Sequence, residues 1–364
     1  MSERITIALD AMGGDNAPRS VLRGATIAKR RYPELDFLIF GDEERLAPMM
    51  KRMIRVRRSS TIIHTPDVVA SDEKAATALR SGRNSSMRKA IDAVRNGEAA
   101  GVVSAGNTGA LMAMAKVVLK TVPGIDRPAM ASFFPTLRGE TAMLDLGANI
   151  ECSADNLVQF AMMGEMFART VLGSLRPTVG LLNVGSEEVK GHEELREAHA
   201  ILKDGGLAYS GFVEGDDIAA GTVDVVVADG FSGNVALKSA EGTAKLVNEF
   251  VRQTFKSSLL AAIGYLFARR ALIKLRARVD PRRYNGATFL GLNGIVVKCH
   301  GGSDALGFAT GVGVARDMIR NGFIDRMAAE FHGPAAAGAD RRREPAEPEP
   351  DAVIGLGARA VSSS

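Results

Sequence analysis

Short runs of β-branched and aliphatic residues recur along this chain, and five of them end in a small polar turn before helical spacing begins. They run from Ile5 to Leu9 into Asp10, Val102-Val103 into Ser104, Met143-Leu144 into Asp145, Val179 to Leu182 into Asn183, and Val223 to Ala228 into Asp229. Phe37 to Phe40 and Thr61 to His64 are further runs of the same kind, and Ala305 to Arg320 has the spacing of a final helix. Few folds accept such a pattern. Parallel strands need a crossover between them, usually a helix, and those helices cover both sheet faces. The predicted fold is α/β: a doubly wound, mostly parallel sheet with helices on both faces. In that arrangement the carboxyl ends of the strands share one edge and line one crevice.

The chemistry is concentrated at these turns. Ser104, Asn107 and Thr108 supply donors where a helix begins, and Gly106 and Gly109 let an anion approach the backbone. The unpaired N–H groups of the first helical turn carry partial positive charge, so the turn suits phosphate or an oxyanion; an ordinary capped turn is the alternative. Asp10, Gly13, Gly14 and Asp15 form the first turn, where the aspartates orient a cation, accept a proton or cap their own turn. Asn183 and Gly185 lead to Lys190 and His192, and Asp229 leads to Asn234, Lys238 and Glu241. Near the end, Ile295 to Val297 delivers Lys298 and His300 to a Gly301-Gly302-Ser303-Asp304 turn. Arg80, Arg83, Ser81, Ser85 and Ser86 at another helix entry make a second candidate anion site, with a solvated helix start as the alternative.

Cofactor signatures are missing from these turns. Neither the GxxxxGK[ST] spacing of a nucleotide-binding loop nor GxGxxG occurs at the first turn. His192-Glu193-Glu194-Leu195-Arg196 has Arg where the second zinc-ligating His would stand, so no metal is expected. Cys152 and Cys299 lie far apart, and neither has the surroundings of an activated nucleophile.

Charge is distributed unevenly. The chain carries +4, yet from Arg252 to Arg283 nine Lys and Arg face Asp280 alone, so the remainder is net acidic. Trp is absent and aromatic residues are 5%, which leaves few platforms for nucleobases and argues against nucleic acid. Within the basic stretch Leu259, Leu260, Ile263, Leu266 and Phe267 share a helical face and Arg269, Arg270, Lys274, Arg276 and Arg278 follow. A protruding, basic, amphipathic helix over residues 250–280 is the expectation. Leu260, Ile263, Phe267, Arg269, Arg270 and Lys274 would contact a membrane surface or an acidic carrier protein; a core-facing helix is the alternative. Asp280-Pro281 should end it. The N-terminus enters a strand without a secretory core, and the apolar run from Leu259 to Ala268 falls short of the ~20 residues a span requires, so a cytoplasmic location is expected. Residues 1–333 read as a catalytic α/β region in two lobes around a cleft, and residues 334–364, rich in Ala, Pro and charge, as a disordered tail.

Taken together, residues 10–18, 85–87, 103–111, 144–149, 181–192, 229–238 and 298–301 closely resemble the bacterial phosphate acyltransferase family, in order and over about residues 4–325. The resemblance implies transfer of a fatty acyl group from acyl carrier protein to inorganic phosphate, giving acyl phosphate for phospholipid synthesis. It implies an α/β/α fold akin to phosphotransacetylases and isocitrate-type dehydrogenases, a homodimer, and peripheral attachment at the inner face of the cell membrane. A membrane glycerol-3-phosphate acyltransferase downstream would take the product. On this reading Ser104, Asn107, Thr108, Gly109 and Lys190, with Lys298, hold phosphate. Asp10, Gly13, Gly14, Asp15, Asn183, Gly185 and Lys238 line the cleft. Asn234 joins the catalytic group with Lys298, and His300 or Asp229 manages the proton of the departing thiol. Three rivals remain: a phosphotransacetylase using coenzyme A thioesters, an isopropylmalate-type dehydrogenase, and a non-catalytic membrane or carrier-protein binding module.

Overall fold

The structure, a computed structural model, describes residues 4–278, 282 and 286–332. Strand β1 (Ile5–Asp10) passes through α1 (Arg19–Arg31) to β2 (Leu35–Gly41), and α2 (Glu43–Met50) and α3 (Ile54–Arg57) lead to β3 (Ser60–His64). Next come α4 (Ala75–Ser81), α5 (Ser86–Arg95), β4 (Gly101–Ser104) and α6 (Thr108–Leu119). The middle of the chain holds β5 (Ala129–Thr136), β6 (Gly139–Leu144), α7 (Ala154–Val171), β7 (Thr178–Leu182), α8 (Glu193–Lys203), β8 (Ala208–Val213), α9 (Gly215–Ala220) and β9 (Val225–Val227). Two long helices follow, α10 (Gly230–Lys256) and α11 (Leu259–Arg278), and the chain closes with β10 (Ala287–Leu290), β11 (Ile295–Lys298), α12 (Ala305–Arg320) and α13 (Phe323–His332).

Each apolar run singled out in the sequence is a strand, because alternate residues have a core to enter on either side. In β1, Ile7 and Leu9 pack with Val21, Leu22 and Phe308 beneath α1 and α12. Ala8, between them, faces Met87, Ile91 and Leu111 of α5 and α6 on the other side. Gly24 lets α1 meet α12 closely, since a Cβ there would lie 2.9 Å from Phe308.

One sheet of 11 strands runs in the order β3-β2-β1-β4-β11-β10-β5-β6-β9-β7-β8. Its two ends point in opposite directions. β3, β2, β1, β4 and β11 are mutually parallel, and so are β6, β9, β7 and β8. Between them β10 is antiparallel to both β11 and β5, and β5 is antiparallel to β6. This corrects the expectation of one shared crevice edge: Asp10, Ser104 and Lys298 end strands at one edge, whereas Asp145, Asn183 and Asp229 follow strands that end at the opposite edge. The cause is the β5–β6 hairpin, a reversal through Leu137 and Arg138 that a strand–helix alternation does not reveal.

Helix α10 starts at that second edge and is held there by its glycines. A Cβ at Gly230 would lie 2.4 Å from the Asn149 carbonyl oxygen, and one at Gly233 only 1.9 Å from that of Asp145. Ser258 opens α11, accepting from the Ala261 N–H at 3.1 Å. The lateral amphipathy expected of this segment is replaced by a lengthwise division. Leu260, Ile263 and Phe267 do share a side and are exposed, but Arg270, three residues after Phe267, falls on that side too. The first half of α11 is apolar and its second half basic. The described part of the Lys274 residue is its helical backbone. Among the described residues no helix is long and apolar enough to cross a membrane. The helix break expected at Asp280-Pro281 and the tail from residue 334 lie outside the described residues.

Candidate active site

Three turns meet at the first sheet edge. Asp10 ends β1 fully buried, with its carboxylate accepting from the Ser86 hydroxyl at 2.6 Å and from the Ser104 hydroxyl at 2.6 Å. Burial pushes this carboxyl above the ordinary Asp range, and the two hydroxyls with the Met12 and Gly13 N–H groups pull it back. There is no room for a side chain on the next turn: a Cβ at Gly13 would lie 2.4 Å from the Asp10 carboxylate and 2.7 Å from the Gly106 nitrogen. The Asp15 N–H donates to the Gly301 carbonyl at 2.9 Å, and the Asn16 amide donates to that of Gly302 at 3.2 Å, which binds the β1 turn to the β11 turn. The Cys299 N–H donates to the Ser104 carbonyl at 2.8 Å, which binds the β11 turn to the β4 turn.

Lys298 is the cation of this cluster. It is buried at the end of β11, opposite Ser104 in the strand register, with its ammonium donating to the Cys299 carbonyl. Burial holds its pKa below the ordinary lysine value; the Asp10 and Asp15 carboxylates oppose that shift and the Lys238 ammonium adds to it. Lys238, on α10, is exposed and donates to the Glu241 carboxylate at 3.0 Å. His300 is exposed, and its Nδ1 accepts from the Gly302 N–H at 3.1 Å, which assigns the proton of the neutral ring to Nε2.

The other expected residues divide between building and presenting. Ser104 is buried with its hydroxyl on Asp10, and it accepts from the Gly106 N–H at 3.0 Å. Asn107 caps α6, accepting from the Ala110 N–H at 3.0 Å while its amide donates to the carbonyls of Ser71 and Glu73 at 3.1 and 2.8 Å. These two shape the turn. Thr108 is exposed and Gly109 half-buried on the first turn of α6. The second anion site expected around Arg80 and Arg83 is not assembled by its serines: Ser85 donates to the Gly82 carbonyl, Ser86 to Asp10 and Ser81 to Glu73. Ser86, read from the sequence as part of an anion site or a solvated helix start, donates instead to a carboxylate 76 residues away.

At the opposite edge Asp145 is the counterpart of Asp10. It accepts from the N–H groups of Met130, Ala148 and Asn149 and from the Asn149 amide, at 2.6 to 3.1 Å. Asp229 caps α10, with both oxygens engaged by the Ser232 N–H and hydroxyl at 2.8 Å. Asn234, exposed, lies against Gly147. Asn183 is buried, its amide donating to the Lys190 carbonyl at 3.2 Å, and Gly185 lies within the same loop beneath the exposed Lys190. β7, which leads to this loop, lies six positions from β4 in the sheet. His192 stands at the start of α8 with Nδ1 3.1 Å from Glu194. Both thiols are poor nucleophiles: burial pushes Cys152 up to about 11 and Cys299 up to about 12.

The chain matches known proteins along most of its length. A family model described as fatty acid synthesis protein matches residues 5–326. The chain is 66% identical over 333 residues to a protein of Rhodospirillum centenum named phosphate acyltransferase, a match covering 91% of this chain and 94% of the relative. It is 57% identical over 333 residues to one of the same name in Paramagnetospirillum magneticum, covering 91% and 95%. Among solved structures it shares the fold of a phosphotransacetylase from Streptococcus pyogenes, with a TM-score of 0.60 at 18% identity over 88% of this chain and 95% of that one.

Proposed function

The chain belongs to the fatty acid synthesis protein family of phosphate acyltransferases, and we propose that it moves a fatty acyl group from acyl carrier protein to inorganic phosphate. The product is an acyl phosphate for phospholipid synthesis. The observation that carries this reading is the joining of the β1, β4 and β11 turns at the edge where the buried Lys298 ends its strand.

Phosphate sits on the first turn of α6, against Thr108 and Gly109, with Lys298 as its cation; Ser104 and Asn107 hold that turn in shape. An oxygen of the phosphate attacks the thioester carbonyl carbon, a C–O bond forms, and the C–S bond breaks. Holding the two reactants together supplies much of the acceleration, and cationic and N–H groups stabilise the oxyanion. The proton of the attacking phosphate ends on the departing sulfur, so the protons balance, and the His300 Nε2–H hydrogen-bonds that sulfur as it leaves. Asp229 is the weaker candidate for this step, since its oxygens serve its own helix. Lys190 offers a second cation from the loop after β7.

The α10–α11 arm is read as the contact with membrane and carrier protein. Leu260 and Phe267 are 82% and 86% exposed, and Arg269 and Arg270 lie beside them. Apolar side chains of this kind enter the headgroup boundary while cations attract an anionic surface, each by about 1 kcal/mol. The reading includes a homodimer and attachment at the inner face of the cell membrane, where the downstream acyltransferase consumes the product.

Palmitoyl carrier protein mixed with the enzyme and phosphate should lose its thioester, and hydroxylamine should trap the acyl phosphate. Activity with coenzyme A thioesters alone transfers the reading to a different donor, and a folded protein inactive with both defeats it. For the arm, Leu260→Glu with Ile263→Glu should abolish sedimentation with anionic vesicles. Unchanged sedimentation would assign that surface to protein contact.

A further inference from the structure

The loop that carries Lys190 is fastened on two sides, and one fastening is incomplete. On its inner side Asn183 is buried, and Gly191, at φ +83°, passes so close that a Cβ there would lie 2.5 Å from the Asn183 amide oxygen. On its outer side Glu188, two residues before Lys190, accepts from the Lys203 ammonium of α8 at 2.7 Å. Both partners are exposed, and such a pair is held loosely. A more rigid group lies next to it. His199 of α8 has its side chain 14% exposed, its ring stacked on Phe212 of β8 with centroids 4.5 Å apart, and its Nδ1 2.8 Å from the Tyr209 hydroxyl. Burial holds the Tyr209 phenol above its ordinary value, so it keeps its proton. The other ring nitrogen, Nε2, is buried 3.8 Å from the Glu188 carboxylate and has no hydrogen-bond partner among the described residues. A Tyr209 hydroxyl donating to Nδ1 leaves the ring proton on Nε2, facing that carboxylate; the opposite tautomer would set a lone pair against its charge. A buried N–H without an acceptor is unfavourable, and here a charged acceptor stands just beyond reach.

We propose that His199 is a positioning residue for Lys190: the loop settles on α8 by about 1 Å, the Nε2–H takes the Glu188 carboxylate at hydrogen-bond distance, and the cation two residues on is fixed for phosphate. The inference rests on the reading above that Lys190 serves phosphate. His199 suits the role because Phe212 and Tyr209 already fix its ring, so little freedom is lost when the bond forms. A charge-assisted bond from a buried, oriented donor holds the carboxylate more firmly than the exposed pair with Lys203. Lys190 is exposed and makes no ion pair among the described residues, so its charge is left for an anion.

The test measures steady-state kinetics at limiting phosphate in the full-length enzyme. His199→Asn keeps a nitrogen near the place of Nδ1 and loses the one at Nε2, whereas His199→Gln keeps an amide nitrogen near the place of Nε2. In His199→Asn the KM for phosphate should rise about fivefold, with kcat and the KM for the acyl donor within about twofold of wild type. His199→Gln should restore most of the affinity. Glu188→Ala should raise the KM for phosphate comparably, and adding His199→Asn to it should raise KM no further, because the two side chains act as one unit. Glu188 is exposed, so its variant carries the test if His199→Asn fails to fold. An unchanged KM for phosphate, an equal loss in His199→Gln, additive effects in the double variant, or a fall in kcat instead of a rise in KM each overturns the proposal. Lys190→Ala separates the two readings. If it leaves the KM for phosphate unchanged, the phosphate role of Lys190 fails; if it raises KM and the His199 and Glu188 variants do not, the positioning role alone fails.

Discussion

Asp10 and Asp145 stand at opposite edges of one sheet, each fully buried and each accepting four donors. Their partners differ in kind. Asp10 binds hydroxyls and N–H groups at a junction that also holds the Lys298 ammonium, whereas Asp145 binds backbone amides and the amide of Asn149. A buried carboxylate satisfied by neutral donors is a clasp: it orders its own loop and, through Gly230 and Gly233, the start of α10. The Asp10 charge, by contrast, opposes the lowering of the Lys298 pKa by burial, and so favours a cation that burial alone would neutralise. Similar turn sequences therefore produce one edge that gathers a buried cation and one edge that fixes the start of a helix.

The largest expected effect separates the two edges directly. Lys298→Met should lower turnover by about 100- to 1,000-fold, the cost of removing a donor to a developing oxyanion. Its melting temperature should hold, since methionine replaces a desolvated charge. Because burial lowers the pKa of Lys298, the cation is present at low pH and lost as pH rises through a value below 10.5, so KM for phosphate should climb there. Lys298→Arg should move that limb upward, since a guanidinium keeps its proton. Turnover near wild type in Lys298→Met would break the comparison.

The second edge should answer in stability. Alanine normally improves a helix over glycine by about 1 kcal/mol, yet Gly233→Ala should destabilise by about 1–3 kcal/mol, because its Cβ would lie 1.9 Å from the Asp145 oxygen. Thermal melting checks the sign, and a stabilised variant would show that the clasp does not hold α10. The smallest effect sharpens the division. Lys190→Ala should raise KM for phosphate about tenfold, roughly 1.4 kcal/mol, with steady-state kinetics at limiting phosphate as the measurement. A loss exceeding that of Lys298→Met would place the binding edge at the loop after β7.

Much of the site was legible in the sequence, for a local reason. A strand that must bury both faces, a glycine where backbone meets backbone, and a polar residue where a helix starts are decided within a few residues. Asp10, Gly13, Gly14, Ser104, Gly106, Lys298 and the Gly301-Gly302 turn were all identifiable on those grounds, and the structure joins them. What each hydroxyl does was not legible. Ser104 and Asn107 look like ligand donors in a linear pattern, and a carboxylate 94 residues away and carbonyls more than 30 residues away engage them instead. The lengthwise division of apolar and basic residues in α11 escaped for another reason, since a run of apolar residues followed by a run of charges satisfies a facial pattern over only two turns.

The sequence by itself determined the α/β class, the positions of the turns and the residue types they carry, because these follow from periodicity and backbone conformation over short distances. Only the tertiary structure decided that the two ends of the sheet run in opposite directions, and that Asp10 rather than a ligand takes the hydroxyls of Ser86 and Ser104. Each of these depends on contacts between residues far apart in the chain, where the geometry of the whole sheet selects among partners that are chemically alike.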